Sequence, residues 1–358
     1  MRIAAHNGAR IWGGAERATV ALLRGLSDRG HDVLLLCNDD LVRQESHARG
    51  VAAELCPIGG DIAVHHAVRL AGALRRYKPE AFVIGTWKKL FYAGLGGRIA
   101  KVPQIVARVG LESDTARSAK YRFALQHWVD GVAVNSERMI APFAQLHGFG
   151  ANRVHLIHNG VRPPAPAAEP GTVRRELGIH ADTFVVGTVA RLARQKRLDR
   201  LLNALAQADD SVHCIIAGDG SERASLALHV SRAGLSSRVH FLGNREDTRA
   251  VLDALDVFVI SSDREGLSNA MLEAMSVGLP VISTQVSGAS DALGGDDPAG
   301  IITGFEAGAI AQAVERLRSN PATRAEMGRA ARRTAESKFS FNGMLDRWEI
   351  FLAGARAQ

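Results

Sequence analysis

The sequence predicts an α/β protein with two domains, each a doubly wound parallel sheet, facing each other across a cleft. The chain has 358 residues, more than a single hydrophobic core usually organises. Short apolar runs alternate with amphipathic stretches in both halves, which is typical of parallel strands covered by helices. Between the halves, proline and alanine crowd into residues 162–171 (RPPAPAAEPG) and the periodicity stops. Because proline restricts its own backbone and that of its neighbour, this stretch marks the domain boundary.

The first half supplies six predicted strands with amphipathic helices between them. Helical periodicity, in which apolar residues return every three or four positions, is clearest in three segments. We therefore expect an N-terminal domain over residues 1–163. The predicted strands are 2–7, 32–37, 80–85, 104–108, 130–135 and 153–158, and the helices are 15–30, 67–77 and 139–148.

The second half repeats the alternation after a predicted linker at 164–171. We expect a second domain over 172–337, followed by an amphipathic helical segment at 338–358. Ligands of doubly wound sheets bind beyond the carboxyl ends of the strands, so the loops at those ends are the places to search for a site. The predicted strands are 184–190, 213–218, 238–243, 256–261 and 280–284, and the helices are 196–208, 220–233, 247–254, 268–277 and two more near 306–337.

Composition bounds the partners and the compartment. Residues 1–165 carry 22 Lys and Arg against 13 Asp and Glu, whereas the rest of the chain carries 22 against 24. The basic half indicates an anionic partner, or simply an arginine-rich solvated surface, and composition does not separate the two. Aromatic residues make up 5%, too few for a platform that stacks single-stranded nucleic acid. The sequence favours a cytoplasmic location on three grounds. Its three cysteines lack metal-ligand spacing, no apolar run reaches 18 residues, and the start does not resemble a secretory signal.

The densest chemical signal is the segment 261–284 (SSDREGLSNAMLEAMSVGLPVIST). Glu265 lies in a loop after a predicted strand and Glu273 lies in the following helix, eight positions later. If that helix begins near Ser268, both carboxylates can lie on one side of it. The backbone N–H groups of Gly266, Leu267, Ser268 and Asn269 would then form a seat for a phosphate, and the two carboxylates would accept hydrogen bonds from sugar hydroxyls. The alternative is two solvated glutamates beside an ordinary helix N-terminus.

Two further loops follow predicted strands. Arg191 and Lys196 enter a helix after strand 184–190, and two cations there can neutralise a diphosphate without a metal ion; equally, they can be surface cations. No Asp-x-Asp pair or His/Asp cluster indicates a metal site. In the first half, Gly13 and Gly14 lie between strand and helix and permit close approach of a ligand, and His6 could face the ligand from the end of its strand.

These motifs, in this order and spacing, resemble the family 4 glycosyltransferases, which have the GT-B architecture of two Rossmann-like domains. The resemblance is strongest over 184–284 and continues over the rest of the chain. The motifs that carry it are GGAER (13–17), RGHDV (29–33), NS (135–136), HNGV (158–161), ARLARQK (190–196), AGDG (217–220), FLGNRED (241–247) and EGLSNAMLEAMSVGLPV (265–281).

The resemblance implies a retaining transferase that takes a sugar from a nucleoside-diphosphate donor, UDP- or GDP-linked, and needs no cofactor or metal. Arg191 and Lys196 would grip the diphosphate, Glu265 would bind the donor sugar, and Glu273 would bind the ribose. The N-terminal domain would present a glycan or lipid-linked acceptor, and the final helix would return to pack on that domain. The remaining donor contacts that the resemblance implies are Gly13, Gly14, Gly218, Gly243, Asn244, Arg245, Gly266, Leu267, Ser268 and Asn269.

The sequence departs from the family pattern in the first half. Many relatives carry a histidine after the strand equivalent to 104–108, where it contacts the sugar. This chain has ARVGLESD (107–114) and no histidine. Arg108, Glu112 and Asp114 therefore become candidate contacts of the acceptor or the sugar, together with His6. A second departure is VSGASD (286–291), where Asp291 could replace the family's glutamate.

Two other functions stay open at this point. One is a nucleotide-sugar epimerase of the same fold, which would convert the donor without an acceptor. The other is a basic module that binds a polyanion or a membrane. Residues 69–78, together with Lys88 and Lys89 beside a Leu-Phe-Tyr run, indicate a surface that could dock on anionic lipid at the inner face of the cell membrane. That surface would fit lipopolysaccharide or polysaccharide assembly.

Overall fold

A computed structural model describes residues 1–59, 64–111, 119–166, 169 and 171–354. The described residues fall into two compact units. The first unit comprises 1–159 and 342–354, and the second comprises 160–341. The predicted linker at 164–171 falls partly on residues 167, 168 and 170, which lie outside the described part of the chain.

The first unit is built on a seven-stranded sheet whose strands all run parallel. The strand order is β3-β2-β1-β4-β5-β6-β7, so the chain winds outward in both directions from β1. Helices cover both faces of the sheet, as parallel connections require. The strands are β1 (Arg2–Asn7), β2 (Asp32–Cys37), β3 (Ala53–Leu55), β4 (Ala81–Ile84), β5 (Gln104–Val109), β6 (Gly131–Val134) and β7 (Val154–Leu156), and the helices are α1 (Gly14–Asp28), α2 (Asp40–Ala48), α3 (Val64–Tyr77), α4 (Leu90–Ile99), α5 (Ala119–Trp128) and α6 (Ile140–His147).

The second unit is built on a six-stranded parallel sheet in the order β10-β9-β8-β11-β12-β13. This is again a doubly wound order, with the reversal between β8 and β11. The strands are β8 (Val185–Val189), β9 (His213–Ala217), β10 (Val239–Gly243), β11 (Val257–Ile260), β12 (Val281–Thr284) and β13 (Gly300–Thr303), and the helices are α7 (Thr172–Glu176), α8 (Leu198–Leu205), α9 (Arg223–Arg232), α10 (Thr248–Asp253), α11 (Asn269–Ser276), α12 (Ser287–Leu293), α13 (Ala307–Ser319) and α14 (Pro321–Ser337).

The predicted fold class, two doubly wound parallel-sheet domains, is confirmed. Central strands such as β4, β6 and β11 are buried along their whole length, because helices cover both of their faces. The sequence prediction missed β3 and β13. Both are short edge strands with exposed or half-exposed residues, so neither produces the continuous apolar run that indicates a buried strand.

The prediction also missed α4, whose glycines lower helix propensity. The packing explains why they are there. A Cβ on Gly96 would come within 2.9 Å of the Ala67 carbonyl oxygen and of Leu70, and a Cβ on Gly97 within 2.6 Å of Ile105. The glycines therefore allow α4 to approach α3 and the sheet closely.

The proposed lipid-facing run beside Lys88 and Lys89 needs a correction. Leu90 and Tyr92 are buried in the core of the first unit, so the apolar face of α4 points inward. Among the described residues, no helix is long and apolar enough to cross a membrane.

The final helix, α15 (Phe341–Ala353), packs in the first unit through both charge and apolar contact. Arg29 donates to Asp346 and Glu349 at 2.7 Å each, and His31 lies 2.8 Å from Glu349. On the apolar side, the ring of Phe351 packs on Gly131, where a Cβ would come within 2.7 Å of that ring. The last helix thus completes the core of the first unit.

Candidate functional site

The strand order of the second unit places two loops side by side at the point where the winding reverses. β8 pairs with β11, and ligands of doubly wound sheets bind beyond the carboxyl ends at such a point. Lys196 follows β8 and Glu265 follows β11. The structure brings them together: Lys196 Nζ donates to Glu265 Oε1, and the side chains are only 20% and 10% exposed. Ser262 Oγ donates to the same carboxylate oxygen at 3.0 Å.

The helix that follows this loop, α11, begins at Asn269, with Ser268 as its N-cap. The Ser268 side chain accepts from the Met271 N–H at 3.4 Å, which is the usual role of a serine at this position. The backbone just before this helix packs tightly against Gly288, where a Cβ would come within 2.6 Å of Gly266 and Leu267. The N-terminus of α11 therefore begins four residues after Glu265, on a firmly packed loop.

The loops after β8, β9 and β10 are joined to one another by main-chain hydrogen bonds. Gly218 N–H donates to the Gly243 carbonyl at 2.6 Å, and Leu192 N–H donates to the Asp219 carbonyl at 2.9 Å. Gly218 has a φ of +129°, and a Cβ there would overlap the carbonyl oxygen of Ala190. Glycine is required at this position because the loop after β8 packs directly on the loop after β9.

Three predicted donor contacts, Arg191, Asn244 and Arg245, are either exposed or already ion-paired within the chain. Arg191 and Asn244 are exposed. Arg245 is held by two carboxylates, Asp247 at 2.7 Å and Glu176 at 3.1 Å. Hydrogen bonds to Asp247 and then to Glu176 raise the pKa of Arg245 above its ordinary value. Its charge is thus already balanced within the chain. Glu273, the second predicted carboxylate, lies partly buried within α11.

Sequence reasoning missed four residues that hold these two loops, namely Ser262 within the second loop and Arg197, Arg200 and Asp263 between the loops. Ser262 donates to Glu265, as described above. Arg200 is buried and donates to Asp263 at 2.7 Å, and Arg197 donates to the same carboxylate at 3.2 Å. The only signal in the sequence is the density of charges in RQKRLDR (194–200).

In the first unit, His6 has no exposed surface. Its Nε2 lies 3.3 Å from the Cys56 carbonyl oxygen, and burial lowers the pKa of His6 to about 4. The imidazole is therefore neutral at physiological pH and surrounded by protein. Gly13 is the N-cap of α1, where its N–H donates to Glu16 at 3.1 Å, and Gly14 is exposed.

Arg108 lies at the carboxyl end of β5 and is partly buried. It donates to Asn159 at 3.0 Å and to Thr19 at 3.3 Å, and burial lowers the pKa of its guanidinium. Both hydrogen-bond acceptors are neutral, and the nearby Glu16 carboxylate only partly offsets the effect of burial, which fits a cation that can also serve a ligand. Glu112 and Asp114, the other two candidates of this loop, lie outside the described residues.

The described residues were compared with the requirements of a metal site, and the three thiols were located. Within the described ranges, no group of three or more His, Cys, Asp or Glu side chains is placed to hold a metal ion. Cys37, Cys56 and Cys214 are free and buried. Asp291, the suggested substitute for the family's glutamate, is buried in α12.

Two family models together match most of the chain. The model described as Glycosyltransferase Family 4 matches residues 12–163, and the model described as Glycosyl transferases group 1 matches residues 171–334. The gap between the two matched ranges lies a few residues after the division of the compact units between 159 and 160.

Curated relatives match over part of their length. The chain is 32% identical over 180 residues to the lipopolysaccharide core biosynthesis glycosyltransferase LpsE of Rhizobium meliloti, covering 50% of this chain and 53% of that protein. It is 30% identical over 205 residues to LpsD of the same organism, covering 57% and 58%. The chain thus spans a little over half the length of these curated relatives.

Among solved structures, HepE of Anabaena in complex with UDP-glucose superposes with a TM-score of 0.86 at 22% identity. The superposition covers 99% of this chain and 100% of that one. At this level of identity the likeness establishes the shared GT-B fold.

Proposed function

The chain belongs to the family 4, group 1 glycosyltransferases, and from this membership we propose that it transfers a sugar from a nucleoside-diphosphate donor, UDP- or GDP-linked, to a hydroxyl group. The acceptor is a glycan or a lipid-linked glycan, and the anomeric configuration is retained. The observation that carries the proposal is the pairing of Lys196 with Glu265 beside the N-terminus of α11. A cation, a helix N-terminus and a carboxylate are the groups that a sugar diphosphate needs.

Each group has a part suited to its chemistry. Arg191 and Lys196 neutralise the diphosphate, and the positive end of α11 adds to their effect. Glu265 accepts hydrogen bonds from hydroxyls of the donor sugar, and Glu273 accepts those of the ribose. Without donor, Lys196 and Glu265 balance each other's charge, which avoids leaving either one desolvated and unpaired.

Catalysis follows from stabilising the leaving group. As the bond between the anomeric carbon and the phosphate oxygen lengthens, negative charge grows on the diphosphate, and Lys196 and Arg191 stabilise it where it develops. The acceptor hydroxyl attacks from the face that the diphosphate leaves, and a phosphate oxygen takes its proton. Glu265 is engaged by Lys196 and Ser262, which supports a role in binding sugar hydroxyls over a role as nucleophile.

We place the reaction in cell-envelope polysaccharide or glycolipid assembly, on the cytoplasmic side. The similarity to the two lipopolysaccharide core biosynthesis glycosyltransferases supports this context. On α3, Val64 and Val68 are 62% and 58% exposed, and Arg69 and Arg76 are exposed on the same helix. We propose that this face contacts anionic lipid from the surface, with each basic residue near the membrane adding about 1 kcal/mol. Flotation with anionic and with neutral liposomes tests it, and equal recovery would contradict it.

The experiment for the main proposal is a thermal-shift panel of UDP-, GDP-, ADP- and dTDP-sugars, followed by a transfer assay and NMR of the product anomer. A cognate donor stabilises the fold by about 2.7 kcal/mol at 100 times its dissociation constant. Lys196→Ala should abolish the shift. If no donor shifts the wild type, the proposal is wrong; conversion of the donor to an isomer without acceptor would indicate an epimerase instead.

A further inference from the structure

The two loops that carry Lys196 and Glu265 are joined by two hydrogen bonds to main-chain carbonyls of the first loop. Asp263 N–H donates to the Gln195 carbonyl at 3.0 Å. Ser261 Oγ donates to the carbonyl of Lys196, also at 3.0 Å. Both bonds link residues immediately next to, or close to, the proposed donor-binding groups. The relative position of Lys196 and Glu265 therefore depends on how firmly these loops are held together.

Arg200 holds the second loop from within the fold. Its side chain is only 8% exposed. One guanidinium nitrogen donates to the Ser261 carbonyl at 2.6 Å and another donates to Asp263 at 2.7 Å, while the guanidinium lies 5.3 Å from the centre of the Phe305 ring. The planar guanidinium reaches the two acceptors from two separate nitrogens, whereas an ammonium would have to reach both from a single nitrogen.

Arg197 reaches the same carboxylate from a backbone conformation that is costly for it. Its φ is +47°, and among the described non-glycine residues only Lys78 and Lys101 share a positive φ. Glycine adopts this region without steric cost, whereas an L-residue with a side chain does not. The guanidinium donates to Asp199 at 2.9 Å and to Asp263 at 3.2 Å. An arginine therefore occupies a position that favours glycine, and its side chain ties the start of α8 to the loop after β11.

We propose that Arg197 and Arg200 are positioning residues, which clamp Asp263 between them and thereby fix Lys196 against Glu265 for binding of the donor diphosphate. We call these three residues the Asp263 clamp. The inference rests on the proposed function, since it assigns the clamp to that site. Burial by itself would raise the pKa of Asp263, but the hydrogen bonds from Arg200 and Arg197 outweigh it and lower the pKa. The carboxylate is thus charged at neutral pH, as a clamp between two cations requires.

The test uses three variants of the clamp, and the two arginine variants each have a matched control. Arg197→Gly removes the guanidinium but suits the backbone, and Lys101→Gly is its control at another positive φ. Arg200→Lys keeps the charge but replaces the two donor nitrogens by one. Its control is Arg174→Lys, since Arg174 also pairs with a carboxylate, Asp256, and donates to main-chain carbonyls in the same unit. Asp263→Asn removes the carboxylate that both arginines share.

The first readout needs no ligand. The rate at which N-hydroxysuccinimidyl acetate labels Lys196 is followed by peptide mass spectrometry on the full-length protein. In wild type, Lys196 is 20% exposed and held by Glu265, so labelling is slow. We expect it to rise several-fold in the clamp variants and to stay at the wild-type rate in the controls.

The second readout is transfer from the donor that the thermal-shift panel selects. A displacement of about 1 Å in a reacting group can cost on the order of 100-fold in rate, so we expect kcat/KM to fall about 10- to 100-fold in the clamp variants. Arg197→Gly should do so with its Tm unchanged, which a purely structural role would not explain. Wild-type labelling and wild-type kcat/KM in all three variants would overturn the clamp. A wild type that binds no nucleotide sugar would refute the proposed function, while the labelling would still decide the clamp.

Discussion

Replacing Glu265 by glutamine should separate nucleotide binding from sugar transfer. The substitution keeps the size of the side chain and removes its charge. In the structure, Glu265 accepts from Lys196 and from Ser262, and its side chain is 10% exposed. A donor diphosphate must draw Lys196 away from this carboxylate or share it. We therefore expect UDP alone to bind as tightly as before, or tighter, once that competition is gone.

The size of both effects follows from the contacts. Releasing Lys196 from a partly buried partner should favour UDP by up to about 1.4 kcal/mol, which is a tenfold change in Kd. Hydrogen bonds to a charged group contribute about 1.5–3 kcal/mol. Losing the charge that holds the sugar hydroxyls should therefore lower kcat/KM by about 10- to 100-fold.

Calorimetric titration with UDP, together with transfer kinetics on the intact sugar donor, measures the two effects separately. Glu315→Gln is the control, since Glu315 pairs with Arg318 on α13 at 2.8 Å and lies outside the site. A UDP affinity that drops tenfold or more in Glu265→Gln, or a kcat/KM equal to that of wild type, would refute the reasoning.

Three further predictions concern the packing of both units. Gly288→Ala should displace the loop before α11, because the new Cβ would come within 2.6 Å of that backbone. We expect kcat/KM to fall at least about tenfold. Gly304→Ala is the control and should match wild type in the same assay, since no atom lies within 4 Å of a Cβ there. Glu349→Gln should destabilise the fold by about 1 kcal/mol at pH 7. Burial alone would raise the pKa of Glu349, but hydrogen bonds from His31 and Arg29 lower it, so the stabilisation is present above pH 4.5 and lost as pH falls through the lowered value; urea melts of both proteins should converge in acid, and a constant difference would contradict this. The cysteines should react with Ellman's reagent only after unfolding, since burial raises the pKa of Cys214 to about 12; rapid reaction of the native protein would count against it.

The fold class could be predicted from the sequence because buried parallel strands are continuous apolar runs. Such runs can be recognised without knowing which strands pair. The edge strands β3 and β13 escaped because exposure on one side breaks the run. In α4, glycine lowers helix propensity, and only the closeness of Leu70 and Ile105 shows why glycine is there. Local patterns thus carried the central elements and failed where tertiary packing decides.

The same division holds for the candidate site. The sequence identified Lys196 and Glu265 separately, each in a loop after a strand, and the start of α11 to within one residue. It did not reveal Arg200 and Asp263 as partners, because their contact depends on β8 lying next to β11. For His6, the end of a strand indicated a site, whereas in the fold the residue is completely buried and its ring contacts the Cys56 carbonyl.

A crystal structure of the protein with bound UDP tests the central claim most directly. We predict that the diphosphate lies within hydrogen-bonding distance of Lys196 Nζ and of main-chain N–H groups at residues 266–268, with the ribose near Glu273. A nucleotide bound at the carboxyl edge of the first sheet, or anywhere that leaves Lys196 still paired with Glu265 and untouched, would contradict the account.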